Sequence, residues 1–257
     1  MTSAATEVLL SGELVVIGRV MSASNATLLA EVDGTRVAYK PVSGERPLWD
    51  FPDGTLAGRE VASHLVSRAA GWDIVPPTVL RDGPHGIGSV QLWCEPDPGQ
   101  AAVDLLPAGR VPDDVAHVLD GLDGRERPVA LVHERTAELR RMSLFDVIVN
   151  NADRKGGHVL AMGDGRRLGI DHGLTFHCED KLRTVLWGWA GEELTEDEIA
   201  VLSRLEVAFQ GALGEELLEH LQTEEIEATI RRCRSLGERG RFPFPSDRWP
   251  AIPWPPF

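Results

Sequence analysis

The chain reads as an α+β protein whose two lobes enclose a cleft, and three observations predict this. Strand-like runs fill roughly the first third, and helical periodicity dominates the later part. A Gly-Asp-Gly hairpin signal lies between two acidic motifs, Asn150-Asn151-Ala152-Asp153-Arg154-Lys155-Gly156-Gly157-His158 and Gly169-Ile170-Asp171-His172-Gly173. With 257 residues and 42% apolar content, the chain can bury one large core or two lobes. Asp153 on a polar loop and Asp171 at a strand end suit divalent metal and nucleotide.

The elements follow in order. Glu13 to Val20 and Thr27 to Val32 are apolar-rich runs joined by Met21-Ser22-Ala23-Ser24-Asn25-Ala26, and Asp33-Gly34 turns into a third run, Thr35 to Lys40. The small polar connection could lie over phosphates, which makes Ser22, Ser24 and Asn25 candidates, although such residues are also ordinary turn formers. Lys40 is one of only three lysines, with Lys155 and Lys181, in a chain that carries 26 basic residues. A compact ammonium at a strand end can meet phosphate oxygens as a point charge. Leu56 to Ala70 is a helix with apolar positions 61, 65, 66 and 69, ended by Gly71, and its Glu60 is placed to hold Lys40. The alternative for Glu60 is a solvated residue favoured by the helix dipole. Strands through Val75–Leu80 and Gly88–Trp93 complete this part, and the breaker-rich Cys94-Glu95-Pro96-Asp97-Pro98-Gly99 reads as a linker. Adenine is expected against it, with Gln91 and Trp93 beside the base. The lobes are therefore expected at 1–94 and 95–257.

In the second lobe, Leu139, Met142, Phe145, Ile148 and Val149 recur at helical spacing, so a helix over 137–149 delivers its end at Asn150. A hairpin over 159–170 brings Asp153 and Asp171 near each other. The segment 177–190, with Lys181, Arg183, Trp187 and Trp189, is a candidate substrate loop or a set of packing aromatics. Thr195-x-x-Glu198 opens a helix through Phe209, and helical stretches follow over 214–222 and 223–236, the last ended by Gly237. The tail 241–257 holds six prolines, two tryptophans and three phenylalanines. Such a tail docks on its own domain, binds a partner or touches a membrane interface.

Composition narrows the function. A net charge of −14 disfavours nucleic acid and anionic lipid surfaces. Three cysteines without paired spacing suggest neither a disulfide framework nor structural zinc, which points to the reducing cytoplasm. No apolar run is long enough to span a membrane, and Met1 to Ala5 lacks a secretory pattern.

On these motifs the chain resembles the phosphatidylinositol 3- and 4-kinase-like superfamily, type II phosphatidylinositol 4-kinases most, and an uncharacterised actinobacterial branch of it. Glu60 to Val79 looks like the family's lysine-partner helix and following strand, Asn151 to Leu160 like its catalytic loop, and Ile170-Asp171-His172-Gly173-Leu174-Thr175-Phe176 like its metal-binding segment. The resemblance implies a two-lobed kinase-like fold, with a β-sheet and one helix in the first lobe and a mainly helical second lobe whose hairpin carries the metal site. It implies ATP with magnesium or manganese, Lys40 on the α- and β-phosphates, Asp153 as the residue that orients or deprotonates the acceptor hydroxyl, and Asp171 as metal ligand.

One departure matters. His158 stands where the family usually has an asparagine metal ligand, and Lys155 stands where histidine is common. Imidazole favours manganese over magnesium or leaves a metal site weak, and Lys155 is placed to neutralise charge on the transferred group. His158 could equally be structural, and Lys155 an exposed loop residue. No cysteine-rich insert for palmitoylation occurs, so a protein hydroxyl or an inositol-like polyol suits the chain better than a lipid acceptor, and peripheral membrane contact is disfavoured. A pseudokinase that binds nucleotide without transfer is the alternative to an active kinase.

Overall fold

The computed structural model describes residues 4–20, 26–52 and 54–257. The chain opens with helix α1 (Ala4–Ser11), then strands β1 (Leu14–Arg19), β2 (Leu28–Val32) and β3 (Thr35–Pro41). Helix α2 (Leu56–Ala70) follows, and strands β4 (Thr78–Gly83) and β5 (Gly86–Leu92) complete an antiparallel sheet in the order β1-β2-β3-β5-β4. Alternation along β3 sends Val37 and Tyr39, both fully buried, to the face covered by Leu9 of α1, with Val79 and Val90 beside them. Ala38 and Lys40 take the opposite face, where β5 sets Gln91 across from Ala38 and Ser89 across from Lys40. The lysine thus faces α2 by strand register.

Helix α2 is more deeply buried than its apolar stripe predicts. Val61, Leu65, Val66 and Ala70 join a core that includes Met142, Phe145, Leu202 and Leu205, whereas Ala69, expected inside, is exposed. Its buried polar groups are bonded. Ser67 Oγ accepts from the N–H groups of Ile74 and Val75 at 2.8 and 3.1 Å. Arg59 pairs with Glu225 and donates to the Thr175 carbonyl. Gly71, at φ 70°, ends the helix by donating its N–H to carbonyls of the last turn, a conformation that glycine adopts without Cβ strain.

Beyond the linker lie strands β6 (Val103–Pro107), β7 (Val115–Leu122) and β8 (Pro128–Glu134), a second antiparallel sheet in the order β6-β8-β7. The sequence reading had assigned no element here, and had also missed α1. Helix α3 (Ala137–Val149) is capped by Thr136 and ended by Asn150 at φ 52°. Strands β9 (Val159–Ala161) and β10 (Arg167–Gly169) form the expected hairpin. Helix α4 (Glu196–Phe209) starts in a complete Thr195/Glu198 capping box. Helix α5 (Ala212–Leu217) is shorter than expected, and α6 (Thr223–Arg239) runs through Gly237 to stop at Gly240, φ 64°.

The tail docks on its own chain. Phe242 is buried, the Ala251 carbonyl accepts from Thr184 N–H at 3.1 Å and from Trp187 Nε1 at 2.8 Å, and the Pro256 carbonyl accepts from Gly156 N–H at 2.8 Å. Lys181 is likewise packed inside, bonded to Asp50 at 2.7 Å and held between the rings of Trp49 and Trp249. Trp189 is buried against His133. Among the described residues no helix is long and apolar enough to cross a membrane.

Candidate functional site

The site forms where β3, α2 and the hairpin meet. Lys40 Nζ bonds Glu60 and, at 2.8 Å, Asp171 Oδ1. Glu60 lies in the second turn of α2 and is only 3% exposed, and its other oxygen accepts the His172 N–H at 3.0 Å. It is a buried positioning carboxylate, not a solvated one. Burial pulls the Lys40 pKa down, but Asp171 and Glu60 outweigh it and hold the ammonium above its ordinary value. The Lys40 charge in turn holds the Asp171 carboxyl well below the carboxylate range, against desolvation. Asp171 sits at φ 60°, a left-handed conformation that costs a non-glycine residue energy and recurs at functional sites.

The loop carrying Asp153 is built on a pair that the sequence reading did not single out. Arg154 and Asp146 are both fully buried, with Arg154 Nε and Nη2 donating to Asp146 at 2.9 to 3.1 Å. Arg154 also reaches the His158 and Ile170 carbonyls at 3.2 Å and His172 Nε2 at 2.7 Å, so one guanidinium braces both acidic motifs. Asn151 bonds Asp146 and accepts the Asp153 N–H. His172 is therefore consumed structurally, and its Nδ1 is buried without a partner among the described residues.

Asp153 faces Lys155 at 3.3 Å; burial raises its pKa, with Lys155 and His158 opposing. His158 lies between the motifs, Nδ1 against the Asp153 carbonyl at 2.9 Å and Nε2 against Asp171 Oδ2 at 3.2 Å. A carbonyl only accepts, so Nδ1 carries the proton. Burial lowers the His158 pKa, which leaves Nε2 a bare lone pair facing a carboxylate oxygen. Two acceptors in contact fit a cation between them. Among the described residues no group of three or more His, Cys, Asp or Glu is arranged to hold a metal ion by itself, yet magnesium and manganese at nucleotide sites need only one or two protein ligands beside phosphate oxygens. The donor set fits such an ion.

Two cavities meet at Lys40 and Asp171. One, of about 380 Å³, runs from His158 and Lys155 to Gln91, Trp93 and Cys94. The other, of about 280 Å³, takes in Glu60, Asp153 and Gly173. Gln91 is anchored to Thr78 at 2.8 Å and Trp93 Nε1 to Glu95 at 2.7 Å. Ser22, Ser24 and Asn25 lie outside the described residues. Phe257, from the tail, lines the first cavity and lies so close over Gly156 that any Cβ there would strike its ring. Glycine at 156 is the residue type that admits the ring, a signal that does not say what approaches.

No protein-family model matches the chain. Protein Rv2133c of Mycobacterium tuberculosis is 49% identical over 263 residues, spanning 97% of this chain and 94% of that protein. Among solved structures, hydra Fam20, determined with sugar, is similar with a TM-score of 0.54 at 14% identity, over 93% of this chain and 89% of that one. The Helicobacter pylori proinflammatory kinase CtkA gives 0.48 at 9% identity over 91% and 94%. The fold is thus the expected α+β one, with a sheet-rich part and a helical part, and it is similar to that of hydra Fam20.

Proposed function

The chain belongs to the same family as Rv2133c of Mycobacterium tuberculosis, and for it we propose an ATP-dependent phosphotransferase that moves the γ-phosphoryl group to a hydroxyl. The observation that carries this reading is Lys40, held by Glu60 and Asp171 where the two cavities meet. Adenine lies against Gln91 and Trp93, and the α- and β-phosphates meet Lys40. Asp171 and His158 would hold magnesium or manganese, which would supply charge neutralisation at the phosphates when bound. Asp153 orients the acceptor hydroxyl and takes its proton as the acceptor oxygen bonds the γ-phosphorus; the bond to the β–γ bridging oxygen breaks and ADP leaves. Burial suits Asp153 to this, since a raised pKa makes a stronger base. Lys155 offsets charge on the transferred group. Such transfer depends on positioning and electrostatics, which these residues supply.

In this reading the lobes divide at 94 and 95, the branch is the phosphatidylinositol 3- and 4-kinase-like one, and the protein acts in the cytoplasm on a protein, inositol-like or lipid hydroxyl. A second reading, a nucleotide-binding pseudokinase, is favoured by His158 alone, because imidazole is a poorer magnesium ligand than the oxygen it stands in for.

Thermal shift with ATP and AMP-PNP, with magnesium and with manganese, tests both on wild type and Asp171→Ala. A metal-dependent rise lost in the variant, with ADP release in the wild type, supports the kinase. The same rise without ADP release supports the pseudokinase. No rise under any condition overturns both.

A further inference from the structure

A third cavity, of about 500 Å³, lies between α6, the 178–187 segment and the tail, and shares no lining residue with the two at Lys40. In a chain of net charge −14, four arginines line it: Arg231, Arg232 and Arg239 from α6, and Arg241 from the tail. Arg241 meets Glu193 at 3.2 Å and Arg231 meets Glu227 at 3.7 Å, while Arg232 and Arg239 have no carboxylate partner among the described residues. Asp180 is the single acidic residue in the lining.

Arg232 is the most telling of the four. Its guanidinium donates to the Ile148 carbonyl at 3.0 Å, the His177 carbonyl at 3.2 Å and Thr229 Oγ1 at 2.7 Å, three fixed anchors that leave further N–H donors unused. Burial lowers its pKa to about 10, with Asp180 opposing, and it stays protonated at neutral pH. Much of the remaining wall is apolar and aromatic, with Phe242, Trp187 and Trp249 beside Ser235 and Ser246, and the Trp249 indole N–H is buried with no acceptor among the described residues.

We propose that this cavity binds a small phosphate monoester, its dianion on the Arg232 and Arg239 guanidinium groups and its flat apolar body against Trp187, Trp249 and Phe242. Guanidinium forks match phosphate oxygens in pairs. A phosphate monoester carries about −1.5 to −2 charges at neutral pH, which answers two unpaired arginines better than one carboxylate does. The site is independent of the proposed transfer reaction.

Calorimetric titration of the full chain with phenyl phosphate and with inorganic phosphate tests this. Phenyl phosphate is expected to bind saturably and at least about tenfold more tightly than inorganic phosphate, since only it reaches the aromatic wall. Arg239→Ala, an exposed position, is expected to weaken it about tenfold, and Arg232→Met to abolish it. Lys40→Met should leave the affinity unchanged, which separates this cavity from the cleft. Absence of saturable binding, equal affinity for the two probes, unchanged affinity in Arg239→Ala, or loss in Lys40→Met would each overturn the proposal.

Discussion

Asp146→Asn tests the buried frame of the site most directly. The substitution keeps shape and removes one charge, so Arg154 is left fully buried with only two carbonyls, an imidazole nitrogen and a neutral amide around it. Neither partner is exposed, so solvent does not screen the loss. Breaking a buried pair from one side costs about 3–5 kcal/mol. At about 2–4 °C per kcal/mol for a chain of this size, the melting temperature should fall by about 6–20 °C. Urea unfolding followed through the seven tryptophans reads the same loss as a lower midpoint at unchanged slope. The double variant Asp146→Leu/Arg154→Met removes both charges and should recover about half of the loss. A loss below about 1 kcal/mol in Asp146→Asn would refute the view that this pair is what organises the loop.

Four further outcomes are expected. Lys40→Met should lower ADP release by about 100- to 1,000-fold, the usual cost of one lost electrostatic contact to the reacting group, and undiminished release would remove Lys40 from the mechanism. Cys94 lines the cavity proposed for nucleotide and burial raises its thiol pKa, so iodoacetamide should label it slowly and AMP-PNP should slow it further, with exposed Cys178 as the unchanged reference; Cys233, pushed up to about 12, should stay unlabelled. Acidification should weaken the fold through its buried histidines. Burial lowers the pKa of His133, whose Nδ1 bonds the Glu134 carbonyl at 2.7 Å and whose Nε2 accepts the Gly188 N–H at 3.0 Å. The unfolded chain then binds more protons below about pH 6.5, so stability is full above that pH and falls beneath it. A melting temperature flat from about pH 7 to 5.5 would contradict this. Gly156→Ala should expel Phe257 from its seat, read as faster protease trimming of the tail; unchanged trimming would mean that the ring is not held there.

The helices were legible wherever local chemistry marks their ends. Thr195 with Glu198, Gly71 after α2 and Asn150 after α3 all act where the sequence put them. Gly237 misled because one glycine inside a long helix is tolerated, and the true stop is the left-handed Gly240. The sheet β6-β8-β7 escaped notice because its outer strands β6 and β7 are half exposed, so polar residues such as Asp104, His117 and Asp120 break the alternation, and the buried run of β8 is short. Helix α1 is too short to signal itself and is held by Leu9 packing on the sheet. In the site, Lys40, Glu60, Asp153, His158 and Asp171 were legible as residue types in order, and they converge. The Asp146–Arg154 brace and Phe257 were not, since nothing local tells a buried arginine from the many surface ones, or where a proline-rich tail will turn.

The Arg59–Glu225 pair carries a last consequence. The neighbour of the lysine-holding glutamate is bolted to α6, and the same Glu225 carboxylate accepts the Gln222 N–H at the start of that helix. Swinging α2 outward would strand two buried charges at once. The Arg59–Glu225 pair therefore acts as an anchor one residue away from Glu60, so that outward movement of the helix carrying the partner of Lys40 is opposed by the cost of separating a buried ion pair.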